Sequence, residues 1–270
     1  MDRYIALNAE QHQQLGWHGI DSLKFAAKTD TAPVLLEELP HLIPTMPVAF
    51  LELPSTDTAP ARFEAVALLS LIPEHNLFVA PNGRWMGGYL PAALRAYPFR
   101  LLPRKDKEGL ALCFDQTSGL LTDQPTEEQR FFKPDGEPSD KLNALLGFMQ
   151  QCEAGRARTR QAVSLLAKHN LIKPWSLKLA TEKGQNAQIK GIYRVDEAAL
   201  NSLSAEALKE LQEGQALALA YGQMLSQQRI KGFQKLYQLH TKLEEHAQSV
   251  SEEDVAEYFE GKDDTLSFNF

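Results

Sequence analysis

Six residues concentrate the recognition chemistry of this chain. Trp85, Tyr89, Arg95 and Tyr97 crowd into one short stretch, and Arg156 and Arg160 follow in a later helical segment. Aromatic rings beside one or two arginines are favoured at protein and peptide contacts, where they bury large areas. Trp85 and Tyr89 flank Gly87-Gly88, which removes two side chains beside two large rings. In a strand such a pair signals a bulge, or the close approach of another backbone or a ligand. For Trp85 and Tyr89 a groove wall and a core position stay equally open. For Phe78 and Phe99 simple core packing is the better reading. Arg156 and Arg160 share a helix face, while Arg158 points elsewhere. Guanidinium forks there suit a carboxylate or a phosphate. The plainer alternative is a solvated face paired with Glu153.

No catalytic motif accompanies these residues. His41, His75, His169 and His240 are scattered, without HExxH or paired CxxC spacing. Glu37 and His41 are four apart, but Pro40 is expected to interrupt the helix that would align them. No GxSxG frames a nucleophile. Cys113 lies mid-strand, where a thiol is expected to be inert. Gly87-Gly88 is not a phosphate loop, and no GxGxxG follows a strand. No cofactor is expected.

The elements that must position the six residues follow from pattern. Asn76 to Val79 is an apolar run, Pro81-Asn82-Gly83 has turn chemistry, and Arg84 to Tyr89 returns, so a hairpin is predicted. Pro91 opens a helical turn to Ala96, which Tyr97-Pro98 stops. Phe99 to Leu102 continues as a strand. Upstream, Tyr4 to Leu7 is a first strand, and Val34 to Leu39 reads as a short helix ended by Pro40. Pro47 to Leu53 and Arg62 to Leu68 read as a strand pair. Leu110 to Phe114 is another strand. After Lys133-Pro134-Asp135-Gly136 the period changes. Leu142, Leu145, Leu146 and Met149 fall on one helical face behind Ser139 or Asp140 as cap. One long helix is predicted from Ser139 to His169, with a bend near Gly155. Trp175 to Leu179 and Ala187 to Val195 read as strands, and Ser204–Glu213 and Gln215 to about His240 as helices. Ser251 to Asp254 has capping-box spacing for a last helix to Glu260, and Gly261 to Phe270 reads as a mobile tail. The fold class is α+β: mainly antiparallel sheets with short hairpins, packed against long C-terminal helices. Residues 1–260 read as one domain, with a division near Ser139 as the alternative.

Composition narrows the partners. The chain has 270 residues, 43% of them hydrophobic, and a formal net charge of −7. A sizeable core is expected at this length, and a general nucleic-acid surface is not. Two cysteines, Cys113 and Cys152, read as buried hydrophobes in a reducing compartment. The first residues lack a basic segment followed by an apolar run, so no signal peptide is expected. No segment approaches the apolar length a membrane helix needs, so no membrane insertion is expected. The expected location is the cytoplasm.

A resemblance adds to this reading. Asn76 to Val79, Gly83-Arg84-Trp85, Tyr89-Leu90-Pro91-Ala92 and Arg95 to Phe99 are similar to the SapC-like family of bacterial proteins, as are Pro47 to Phe50 and Gly191 to Glu197. The resemblance spans about residues 4 to 240. The family name comes from a proposed link to surface-layer protein export. Its genes are reported near TonB-dependent receptors, flavin-dependent halogenases and cupin-like or JmjC-like proteins. The name and that context imply a helper in the export, uptake or modification of a peptide or other large substrate, and no catalytic residues are established for the family to carry over. The expected function is therefore a non-catalytic accessory protein that binds a peptide or protein segment around Trp85, Tyr89 and Arg95. The alternatives are a metal-dependent enzyme with ligands distant in sequence, and a homo-oligomeric scaffold joined through its long helices.

Overall fold

Val48 to Leu53 and Arg62 to Leu68 are almost continuously apolar where they meet, as strands buried on both faces must be. In the computed structural model, which describes residues 3–54, 61–104, 108–180, 186–189 and 191–246, they form the central pair of the largest sheet. The elements, in chain order, begin with β1 (Tyr4–Ala6), α1 (Ala9–His12), β2 (Gly16–Trp17), β3 (Thr31–Pro33), α2 (Leu39–Leu42), β4 (Val48–Leu53) and β5 (Arg62–Leu68). Next come α3 (Ala92–Arg95), β6 (Phe99–Pro103), β7 (Leu110–Asp115), β8 (Leu121–Thr122) and α4 (Asp140–Lys168). The last are β9 (Ile172–Pro174), β10 (Leu177–Ala180), β11 (Asn186–Ile189), β12 (Ile192–Val195), α5 (Glu197–Asn201), α6 (Ala205–Glu213), α7 (Ala216–Ser226) and α8 (Gly232–His246). The architecture is α+β. One sheet has the order β3-β5-β4-β12-β9 and a second the order β1-β7-β6. Every strand pair is antiparallel.

Two apolar clusters flank α4. Phe50, Leu68, Leu166, Leu219 and Phe233 belong to the larger, between the first sheet and the helices. Trp17, Phe99, Phe114, Phe131, Leu142 and Met149 form the other. There Trp17 stacks on Phe131 at 5.1 Å. The first half of α4 thus packs into one cluster, and its second half, through Ala162, Val163 and Leu166, into the other. Ser139 caps α4, its Oγ accepting from the Leu142 N–H at 3.2 Å. Gly155 is explained by close approach: a Cβ there would lie 2.9 Å from a Glu37 carboxyl oxygen, because the Leu35 to Glu38 segment crosses the helix.

One joint in the large sheet is made by side chains. Strands β4 and β12 pair at Ile192–Leu51 and Tyr193–Phe50. Beyond that point the buried Gln223 of α7 bridges them. Its Nε2 donates to the Val48 C=O at 3.1 Å, and its Oε1 accepts from the Val195 N–H at 3.0 Å. Ser226 Oγ takes the Val48 N–H at 2.9 Å. Buried backbone groups need partners, and here α7 supplies them.

Three expectations are corrected. Asn76 to Tyr89 is not a pair of strands but a set of tight turns closed by a single Val79–Trp85 bridge. Asn76 explains this: its Oδ1 accepts from Phe78 N–H, a local alternative to a ladder, and its Nδ2 ties the turn to Ala26 C=O in a distant segment. Pro40 does not end a helix; it sits in the first turn of α2, where its missing N–H costs nothing. The helix expected over Gln215 to His240 is broken at Gln227–Lys231, which is 3₁₀. The helix expected to Glu260 and the tail lie outside the described residues.

Candidate functional site

Glu38 is the knot that holds the aromatic stretch in place. It ends the short 3₁₀ turn Leu36–Glu38 and is only 4% exposed. Its Oε1 accepts from Tyr89 O–H at 2.9 Å and from Ala92 N–H at 2.6 Å, and its Oε2 accepts from Leu35 N–H at 3.2 Å. One carboxyl group thus joins segments more than fifty residues apart and starts α3. Trp85 packs on Phe78, ring centroids 5.4 Å apart, and its Nε1 donates to the Tyr89 C=O at 3.1 Å. Gly87 serves that packing. A Cβ there would meet Trp85 Nε1 at 2.8 Å and Phe78 Cδ1 at 3.0 Å. The close approach signalled by Gly87 is therefore made by the chain's own rings.

Outward from this knot lies a cationic and aromatic ledge. Arg95 Nη2 donates to Tyr89 Oη at 3.1 Å, and the guanidinium lies 5.6 Å from the Tyr89 ring centre and 5.0 Å from that of Phe148. His41 also stacks on Tyr89, ring centroids 5.1 Å apart. Burial, then the neighbouring Glu38, push the Tyr89 phenol up to about 12, against the pull of Arg95. The Tyr89 hydroxyl is therefore a fixed donor at neutral pH and no base. Its neutral form carries stability present below about 10 and lost as pH rises through about 12. We expect an alkaline absorbance titration to show one tyrosine ionising about two pH units late, and Tyr89→Phe to remove it.

Tyr97 and Arg156 face a different opening, a groove of about 590 Å³ between the two sheets. The edge strands β3 and β6 form its long walls, with Phe25, Met149 and Arg156 between them. Tyr97 stacks flat on Phe25, centroids 3.8 Å apart. Among the described residues, three arginines, Arg3, Arg100 and Arg156, supply the charged side chains in the wall. Arg3 pairs with the buried Asp115 at 2.7 Å, and Arg156 touches Glu153. Burial alone would raise the Asp115 carboxyl, but hydrogen bonds from Arg3 and Thr117 outweigh it and hold it below the usual range. Arg100 lies 5.0 Å from the Tyr4 ring centre and has no ion-pair partner among the described residues.

The six singled-out residues therefore divide. Tyr89 and Arg95 form the ledge, while Trp85 packs on Phe78. Tyr97 and Arg156 line the groove, and Cys152 of α4 is in electrostatic reach of both Arg95 and Arg156. Arg160 is exposed and lines neither. Burial raises both thiols, Cys113 and Cys152, away from reactivity. Among the described residues no group of three or more His, Cys, Asp or Glu side chains is placed to hold a metal ion, and no helix is long and apolar enough to cross a membrane.

A family model described as SapC matches residues 7–233, well over half of the chain. The chain belongs to the SapC family. Nothing among curated proteins or solved structures matches this SapC-family chain. The match takes in the whole knot around Glu38, Arg95 of the ledge, all of α4, and all of the groove but Arg3 and Tyr4. Sequence reasoning missed Glu38, Arg3 and Arg100. Glu38 carries no local signal, since two of its partners lie more than fifty residues on. Arg100 had one: it is a lone cation alternating with apolar neighbours in Phe99 to Leu102.

Proposed function

We propose that this SapC-family protein is a cytoplasmic, non-catalytic accessory protein that binds a peptide or protein segment in the groove between β3 and β6. The observation that carries the reading is the groove wall itself, an aromatic stack and three arginines set between two sheet edges. Aromatic and arginine side chains are the groups that dominate binding energy at protein contacts. The accessory role in export, uptake or modification implied by the family resemblance fits such a module. The ledge at Tyr89 and Arg95 extends the same surface along α4.

The reading is tested by affinity purification of the tagged chain from its own cells, with the eluate identified by mass spectrometry. One partner should be recovered at near-stoichiometric amount. Tyr97→Ala with Arg156→Ala should reduce its recovery at least tenfold, as the loss of two contacts worth about 1 kcal/mol or more each predicts. Arg160→Ala should leave recovery unchanged. Equal recovery by all variants would remove the groove from consideration.

A further inference from the structure

We propose that the groove takes an extended acidic peptide segment, added as a strand to the open edge of β6. This rests on the groove being the binding site and names what it reads.

The direction of the backbone groups is the first argument. Pro98 C=O accepts from Asp115 N–H at 2.9 Å, and Arg104 N–H donates to Gly109 C=O at 3.0 Å. Backbone groups alternate along an antiparallel strand. The backbone groups of the even-numbered residues of β6 therefore point toward β7, and those of Phe99, Leu101 and Pro103 point away from it, to the open edge. Phe99 N–H is already taken by Ala96 C=O at 2.8 Å, and Pro103 has none. Leu101 is left with an outward N–H and C=O. The opposite wall repeats the arrangement. Val34 N–H donates to Ala65 C=O and Leu69 N–H to Asp30 C=O, so Thr31 and Pro33 of β3 face outward, and only Thr31 has an N–H to offer. Each edge offers one donor, which specifies a single register for an added strand. A peptide backbone meets these groups; a phosphodiester does not.

Charge is the second argument. The chain carries a formal net charge of −7, yet among the described residues every charged side chain in the groove wall is an arginine. Arg3 and Arg156 have carboxylate partners. Arg100, next to Leu101, has only the Tyr4 ring among the described residues. In a sheet, the side chain across from a residue on the same face lies about 5 Å away. A strand bonded at Leu101 brings one of its own side chains beside Arg100, where an aspartate or glutamate completes the pair.

The test is to pan a display library of random ten-residue peptides on the full chain. Enrichment of sequences with alternating Asp or Glu is expected. Arg100→Glu should weaken a selected peptide at least tenfold, and Arg160→Glu should not. In hydrogen exchange, the selected peptide should slow the Leu101 amide at least tenfold. Selected peptides that are neutral or basic, or that leave Leu101 unprotected, overturn the acidic-strand proposal; if Tyr97→Ala still abolishes them, the groove remains the binding site. A library that enriches nothing overturns both. The chain's own segment Ser251 to Asp264 is also acidic. If changing Glu252, Glu253 and Asp254 to lysine in the full chain strengthens the selected peptide tenfold, that segment is the occupant and an external partner is overturned.

Discussion

Gln223→Leu should destabilise the fold by about 3–5 kcal/mol, because it leaves two buried backbone groups without partners at about 1–3 kcal/mol each and removes a side chain that fits between strands. The groups are Val48 C=O and Val195 N–H, which Gln223 alone bridges where β4 and β12 have parted. Gln223 has no exposed surface, so water cannot replace its amide. Leucine matches the size but offers neither donor nor acceptor. Against a typical stability of about 5–15 kcal/mol, a loss of this size is large. Urea unfolding followed by circular dichroism checks it: the midpoint should fall and the slope should stay. Ser226→Ala should cost less, because Ser226 holds one strand group, the Val48 N–H. A Gln223→Leu variant within 1 kcal/mol of the parent would show that the two strands close on each other without the helix.

Glu38→Ala is expected to be as costly, about 3–5 kcal/mol, since three donors lose one shared acceptor group. Here the damage is local to the surface that carries recognition. Leu35 N–H, Ala92 N–H and Tyr89 O–H all converge on the Glu38 carboxyl. Without it α3 loses its anchor, and the Tyr89 hydroxyl that positions Arg95 loses the acceptor that holds it. Glu38→Gln retains acceptance at Oε1 but turns an amide donor toward the Leu35 N–H, so it should fall between alanine and the parent. Tyr89→Phe alone should cost about 1 kcal/mol, the loss of one hydrogen bond. A double-mutant cycle between Glu38→Gln and Tyr89→Phe should show coupling of at least about 0.5 kcal/mol, as contacting residues do. Additive effects would mean that the hydroxyl and the carboxyl do not act together.

What could be read in the sequence followed from local periodicity. β4, β5, β6 and β7 carry apolar runs whose length and turns bound them, and α4 carries a helical stripe behind a serine cap. These elements satisfy their backbone bonds with near neighbours or a clear partner, so pattern suffices. Asn76 to Tyr89 has the composition of strands, but Asn76 bonds locally and its apolar side chains are covered by helix, including Phe233 of α8 against Phe78 at 6.3 Å. Burial there comes from tertiary packing, which alternation does not encode. Pro40 misled because proline stops a helix in its interior and starts one in its first turn. The candidate site divided the same way. Aromatic and arginine types marked Tyr97 and Arg156, while the groove depends on two sheet edges from distant parts of the chain. Gln223 did leave a trace: with Ser226 it is polar at helical spacing inside a strongly apolar segment, the sign of a polar pair that must find buried partners.

The prolines at Pro33 and Pro103 carry a consequence for the protein in concentrated solution. An uncovered strand edge is a template on which other copies can stack into fibrils, and growth needs an unbroken series of outward amides. On β3 and β6 that series is interrupted at alternate outward positions, because proline has no hydrogen to give. An edge with one working rung accepts a short visitor and cannot zip onto its own likeness. Exposure of these edges is thereby compatible with a chain that stays dispersed.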